Sequence, residues 1–243
     1  MKISAPVFSL LFALACLPAR AQQDPADPPA ARVDVRDLRD PELRSYAQML
    51  KGLRAYRDHR KLAPDAELYF ILIPKSAQAG VQDLSMRLAS DEGSIPIPID
   101  AAGRFQLPLL EQKRDDEYDL ILNKPKGGFL IRPYVKSAHL PDDSKRLGDF
   151  RLECEVRWAI ERQDASVVFR TFVSLLSSGN PCTARTVAVG FYPPSGVDTV
   201  SLAAPKHPLR LKVQAYKTYS LPLWDKDLGD DELVRFERAI PQP

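Results

Sequence analysis

The sequence predicts a mainly β fold, one or two β-sandwich-like units behind one N-terminal helix. Three observations lead there. From Pro64 onward, apolar residues recur at every second position in short runs, the period of a strand with one buried face. Turn-forming clusters such as Asp100-Ala101-Ala102-Gly103 separate those runs. Finally, 22 of the 243 residues are proline, about twice the average usage, as many short strands joined by turns require.

Residues 1–21 read as an export signal. Lys2 supplies the positive start, Val7 to Leu17 is an apolar run, and Ala19-Arg20-Ala21 offers small residues to a signal peptidase. The expected compartment is therefore the periplasm or the extracellular space. The apolar run is short of the roughly 20 residues that span a bilayer, so no transmembrane segment is expected after cleavage. Ala13-Leu14-Ala15-Cys16 leaves a second processing route open, with Cys16 acylated as the first residue. Residues 22–39, rich in Pro, Ala, Asp and Gln at their start, read as a disordered leader.

An amphipathic helix is expected over residues 40–62. Asp40 can cap it, Pro41 fits its first turn, and Leu43, Tyr46, Leu50, Leu53 and Tyr56 follow one face. Arg44, Lys51, Arg54, Arg57, Arg60 and Lys61 make it basic, as either a solvated outer face or a surface for an anionic partner.

The first β unit is placed at residues 63–136. Glu67 to Pro74 is apolar on both parities, which suits a central strand covered on both sides. Leu84, Met86 and Leu88 alternate with polar residues. Ile95, Ile97 and Ile99 alternate with Pro96 and Pro98, which restricts that segment to a sheet edge. Tyr118 to Leu122 and Phe129 to Val135 flank a Lys-Pro-Lys-Gly-Gly stretch and read as a hairpin.

Ser137 to Lys145 is polar and marks the boundary to a second β unit at residues 145–243. Leu152, Cys154, Val156, Trp158 and Ile160 share one parity, giving the clearest amphipathic strand in the chain, to be paired by Val167 to Leu176. Thr186 to Tyr192, Val197 to Leu202, Leu209 to Tyr216 and Leu233 to Phe236 supply further strands. Without residues 1–21 only Cys154 and Cys182 remain. Two thiols in an oxidising space are expected to pair and staple this unit.

Ile95 to Pro108 resembles the strand-turn-strand of transthyretin-like and carboxypeptidase-regulatory-like sandwich modules, over about fourteen residues. Arg146 to Cys154 resembles a segment of uncharacterised exported proteins of Gram-negative bacteria, a family with no assigned activity. These resemblances imply a β-sandwich and an exported protein, and no chemistry.

Charge narrows the function classes. Loss of Lys2 and Arg20 from the 34 basic residues leaves 32 against 32 acidic ones, so no global positive field seeks nucleic acid. Signatures for serine hydrolases, zincins and nucleotide loops are missing, and no catalytic residue, metal or cofactor is assigned. His59, His139 and His207 stand alone. The run Asp225, Asp227, Asp230, Asp231 and Glu232 offers oxygen ligands but departs from the EF-hand pattern, and a turn explains it equally.

Arg146, Asp149, Glu153 and Arg157 are the candidate polar surface, provided that they converge. Phe70, Phe105, Tyr134, Trp158 and Tyr192 read as core, or as the lining of a ligand pocket. The function expected is a non-enzymatic exported protein that binds or scaffolds an unidentified envelope protein or ligand. Two alternatives stay open: a small-ligand carrier, and a hydrolase using carboxylates such as Asp115-Asp116-Glu117, Asp142-Asp143 or Glu153/Glu155.

Overall fold

The computed structural model describes residues 40–110, 117–177, 179–205 and 207–238. The expected signal 1–21 with Cys16, the leader 22–39 and the carboxylates Asp115 and Asp116 lie outside them. Among the described residues the fold is mainly β, with 13 strands in four antiparallel sheets and three α-helices.

The N-terminal part runs β1 (Pro41–Ser45), α1 (Tyr46–Asp58), β2 (Ala66–Pro74), β3 (Met86–Ser90), β4 (Gly93–Ile97), β5 (Arg104–Phe105), β6 (Asp119–Pro125) and β7 (Phe129–Ser137). One sheet has the order β1-β6-β3-β4 and the other β5-β2-β7. Leu88, Leu120 and Leu122 from the first share a core with Phe70, Phe129 and Val135 from the second. β2, apolar on both parities, lies between two neighbours, and the proline-bearing β4 is an edge where a missing N–H breaks no ladder. Of its isoleucines only Ile97 is buried, while Ile95 is exposed on the same parity.

Two local expectations change here. Asp40-Pro41 does not begin a helix: residues 41–45 pair with β6, whose edge outcompetes the capping signal, and α1 begins at Tyr46. Residues 118–135 are not a hairpin either. Both edges of β6 are taken, by β1 and β3, so the chain crosses to the other sheet, where β7 pairs with β2.

The C-terminal part runs β8 (Ser144–Arg146), α2 (Leu147–Glu161), α3 (Val167–Ser177), β9 (Gly190–Phe191), β10 (Val197–Leu202), β11 (Leu209–Lys212), β12 (Tyr219–Ser220) and β13 (Leu233–Arg238). The order is β11-β10-β13-β8, with β12 and β9 paired separately. The segment read as the clearest strand is α2, and the strand expected at Val167 to Leu176 is α3. Thr186 to Tyr192 is extended in a sheet only at Gly190–Phe191.

The alternation in α2 has a physical origin. Leu152, Val156 and Ile160, spaced i, i+4, i+8, pack into the first core, whereas Leu147, Phe150 and Cys154, spaced i, i+3, i+7, pack into a second core with Val200, Leu202 and Val234. A helix buried on two opposite faces carries two interleaved apolar stripes, and in sequence they look like a period of two. Glycine lets α2 approach its neighbours: a Cβ on Gly52 of α1 would lie 2.6 Å from Ile160, and one on Gly148 would lie 2.1 Å from the Leu62 carbonyl oxygen.

Candidate functional site

The four predicted residues Arg146, Asp149, Glu153 and Arg157 do share one side of α2, because helical spacing of three and four stacks them. They do not form a surface. Asp149 and Glu153 are buried, and each accepts a backbone N–H from the free edge of β7: Ser137 N–H to Asp149 at 3.2 Å and Val135 N–H to Glu153 at 2.7 Å. Pro133, on the same parity, has no N–H to give. The carboxylates of α2 therefore stand where a further strand would, and so seal the edge.

The Ser137 hydroxyl also donates to Asp149 at 2.6 Å, and the Arg146 N–H at 3.0 Å. Lys145 makes an ion pair with Glu153, and both side chains are more than nine-tenths buried. Its ammonium sits 4.4 Å over the Phe150 ring and 4.7 Å over the Tyr134 ring, a cation–π arrangement. Burial raises the pKa of Glu153 above the ordinary carboxyl value, against the opposing pull of Lys145 and the Val135 N–H. Burial also lifts the Tyr219 phenol well above its usual range. Arg146 turns away to Asp65, at 3.0 Å.

Arg157 lies elsewhere in function. It lines a cavity of about 370 Å³ beside the C-terminal half of α2, with Arg132 of β7, Arg44, Trp158 and Phe169. That volume is within the range of small-ligand pockets. Glu161 holds two of the arginines at once: it pairs with Arg132 and, through its other oxygen, with Arg157 at 3.0 Å. Arg157 also donates to the Gly190 carbonyl at 2.9 Å, and Arg44 lies 3.7 Å from Asp164. The Nε of Arg132 is buried without a hydrogen-bond partner. Desolvation lowers the Arg132 pKa from its usual value, and the Glu161 charge opposes that shift.

Part of the lining is apolar. Trp158 meets Phe169 edge to face at 6.2 Å and donates its indole N–H to the Gly179 carbonyl at 3.0 Å. Cys154 of α2 and Pro181, next to Cys182, also line the cavity. Cys154 and Cys182 form a disulfide with their Cα atoms 5.7 Å apart, which ties α2 to the short 3-10 turn Pro181–Thr183. Of the aromatics weighed for a pocket, Trp158 lines this one, while Phe70 and Phe105 stack in the first core at 5.7 Å.

Arg132, Glu161 and Phe169 are not among the predicted site residues, and Arg44 is predicted only as part of the basic face of the N-terminal helix. The available signal was Arg132 itself, a charge inside the apolar run Phe129–Val135. The acidic run near the C-terminus is dispersed: Asp230 pairs with Arg151, Asp231 lies 3.7 Å from Arg146, and Asp225 accepts the Asp227 N–H in a turn. His59 lies 3.7 Å from Glu155. Among the described residues no group of three metal-ligating side chains assembles.

No family model matches the chain. No curated protein and no solved structure matches it either.

Proposed function

We propose that this is an exported, non-enzymatic binding protein whose ligand is a small organic anion held in the α2 pocket. The observation that carries this reading is the charge arrangement. Three guanidiniums, of Arg44, Arg132 and Arg157, share two carboxylates, of Glu161 and Asp164, there. A carboxylate or phosphate in the pocket would balance the excess guanidinium charge, and guanidinium pairs well with both. Trp158 and Phe169 give the ligand's apolar body a surface to lie against. The signal-like pattern at residues 1–21 and the paired cysteines support the periplasm or extracellular space as the compartment.

Phenyl phosphate is the test ligand, titrated against a Trp224→Phe variant so that Trp158 alone reports. Saturable quenching is expected, and Arg132→Gln with Arg157→Gln should weaken it at least about tenfold, or about 1.4 kcal/mol. Equal affinity in that double variant, with its melting temperature unchanged, would refute the pocket.

A further inference from the structure

α3 exposes the apolar stripe that a helix normally hides. Val168, Phe172, Leu175 and Leu176 fall at i, i+4, i+7 and i+8, the spacing of one helix face. All four are exposed, Val168 by 80% and Leu175 by 79%, and Val167 adds a fifth exposed apolar side chain. Val173 is buried beneath them, and Arg170, Thr171 and Ser174 form a separate polar flank. A contiguous apolar face of this kind marks contact with another apolar phase.

Two features identify that phase. Phe169 belongs both to α3 and to the pocket wall, where it meets Trp158, so the apolar face runs without a break into the arginine pocket. With three guanidiniums against two carboxylates, the charge beside the face is positive. An apolar helix face joined to excess arginine and a tryptophan has the composition of an element seated in the interfacial layer of anionic lipid. At 11 residues α3 is about 16 Å long, about half the thickness of a bilayer's hydrocarbon core. Among the described residues no helix is long and apolar enough to cross a membrane, so α3 can lie on the bilayer but not span it.

We infer that the Val168, Phe172, Leu175 and Leu176 face of α3 docks on an anionic phospholipid leaflet, and that the arginine pocket at its base takes a headgroup phosphate from that leaflet. This rests on the anion-pocket reading and names the anion. Docking buries the exposed side chains in acyl chains, and the phosphate balances the excess guanidinium charge of the pocket.

The test is flotation of the full chain with vesicles of phosphatidylcholine alone and of phosphatidylcholine mixed with phosphatidylglycerol. The mixed vesicles should carry the protein at least about tenfold better. Val168→Glu with Leu175→Glu, both at exposed positions, should lower that flotation at least about tenfold and leave phenyl phosphate binding unchanged. Arg132→Gln with Arg157→Gln should lower both.

Undiminished flotation of the double Glu variant overturns the inference, because attachment then runs through another segment. Equal flotation with both vesicle types overturns it too. So does a dimer in light scattering that the Glu substitutions dissociate while the unsubstituted chain ignores vesicles. Phenyl phosphate binding without vesicle binding overturns the leaflet and leaves the pocket standing. Vesicle binding without phenyl phosphate binding overturns the headgroup role and the pocket reading together.

Discussion

Replacing Lys145 by methionine isolates the charge that holds Glu153 inside the fold. Methionine keeps an unbranched apolar stem over the Phe150 and Tyr134 rings, so packing changes little. The carboxylate loses its cation in a site where both partners are more than nine-tenths buried. At near-contact separation and an effective dielectric of about 20, the lost attraction is about 4–5 kcal/mol. Measured losses on removing one partner of a buried pair, about 3–5 kcal/mol, agree.

The pH dependence has a definite sign. Burial raises the folded-state pKa of Glu153 above its unfolded value, so the native state binds this proton more tightly. The group's contribution to stability is complete below the ordinary carboxyl value and is lost as pH rises through the raised one. The Lys145→Met deficit should therefore be largest at neutral pH and shrink on acidification. Adding Glu153→Gln removes the stranded charge and keeps an acceptor for the Val135 N–H, so the double variant should return to within about 1 kcal/mol of the unsubstituted protein. Urea unfolding followed by circular dichroism, at neutral and mildly acidic pH, reads all three variants. A single-variant loss below about 1 kcal/mol, or a double variant no better than the single, refutes the reasoning.

Three further outcomes can be checked directly. Cys154→Ser should cost about 3–4 kcal/mol, the loop-closure contribution of a bridge across 28 residues; non-reducing mass mapping should join Cys154 to Cys182, and two free thiols in protein from its native compartment would contradict both statements. Gly148→Ala should cost about 3 kcal/mol, because the new methyl lies against the Leu62 carbonyl rather than a movable side chain; an unchanged melting temperature would contradict the close approach of Gly148 to Leu62. Calcium should not shift the melting temperature, since Asp230 and Asp231 face Arg151 and Arg146, and a binding heat would reverse that assignment.

The candidate site was legible only in part. Arg146, Asp149, Glu153 and Arg157 are predicted as one polar surface, whereas Asp149 and Glu153 are buried and Arg146 turns to Asp65. Their roles differ because α2 is a helix: two carboxylates turn inward to the free edge of β7, and Arg157 reaches the pocket. Arg132 is 25 residues upstream of Arg157 in sequence, so only the packing of α2 against β7 brings both to Glu161. The exposed face of α3 was hidden for a related reason. A run such as Val167 to Leu176 reads as buried by composition, and its exposure depends on what packs nearby.

What the sequence determined by itself is the local part of the structure. β2, β3, β10 and β13 lie where apolar periodicity places them, because a strand with its faces covered in a constant way records that cover in its own residues. The Cys154–Cys182 bridge is the pairing expected if residues 1–21 are a signal. Tertiary structure decided the rest. It drew residues 41–45 onto the edge of β6, sent β6 and β7 to different sheets, and turned an apparent strand into α2. A periodicity argument assumes one buried face per element, and α2 has two. With a core on each side, its residues alternate like a strand while its backbone is satisfied as a helix, and the pocket exists only where that helix meets β7.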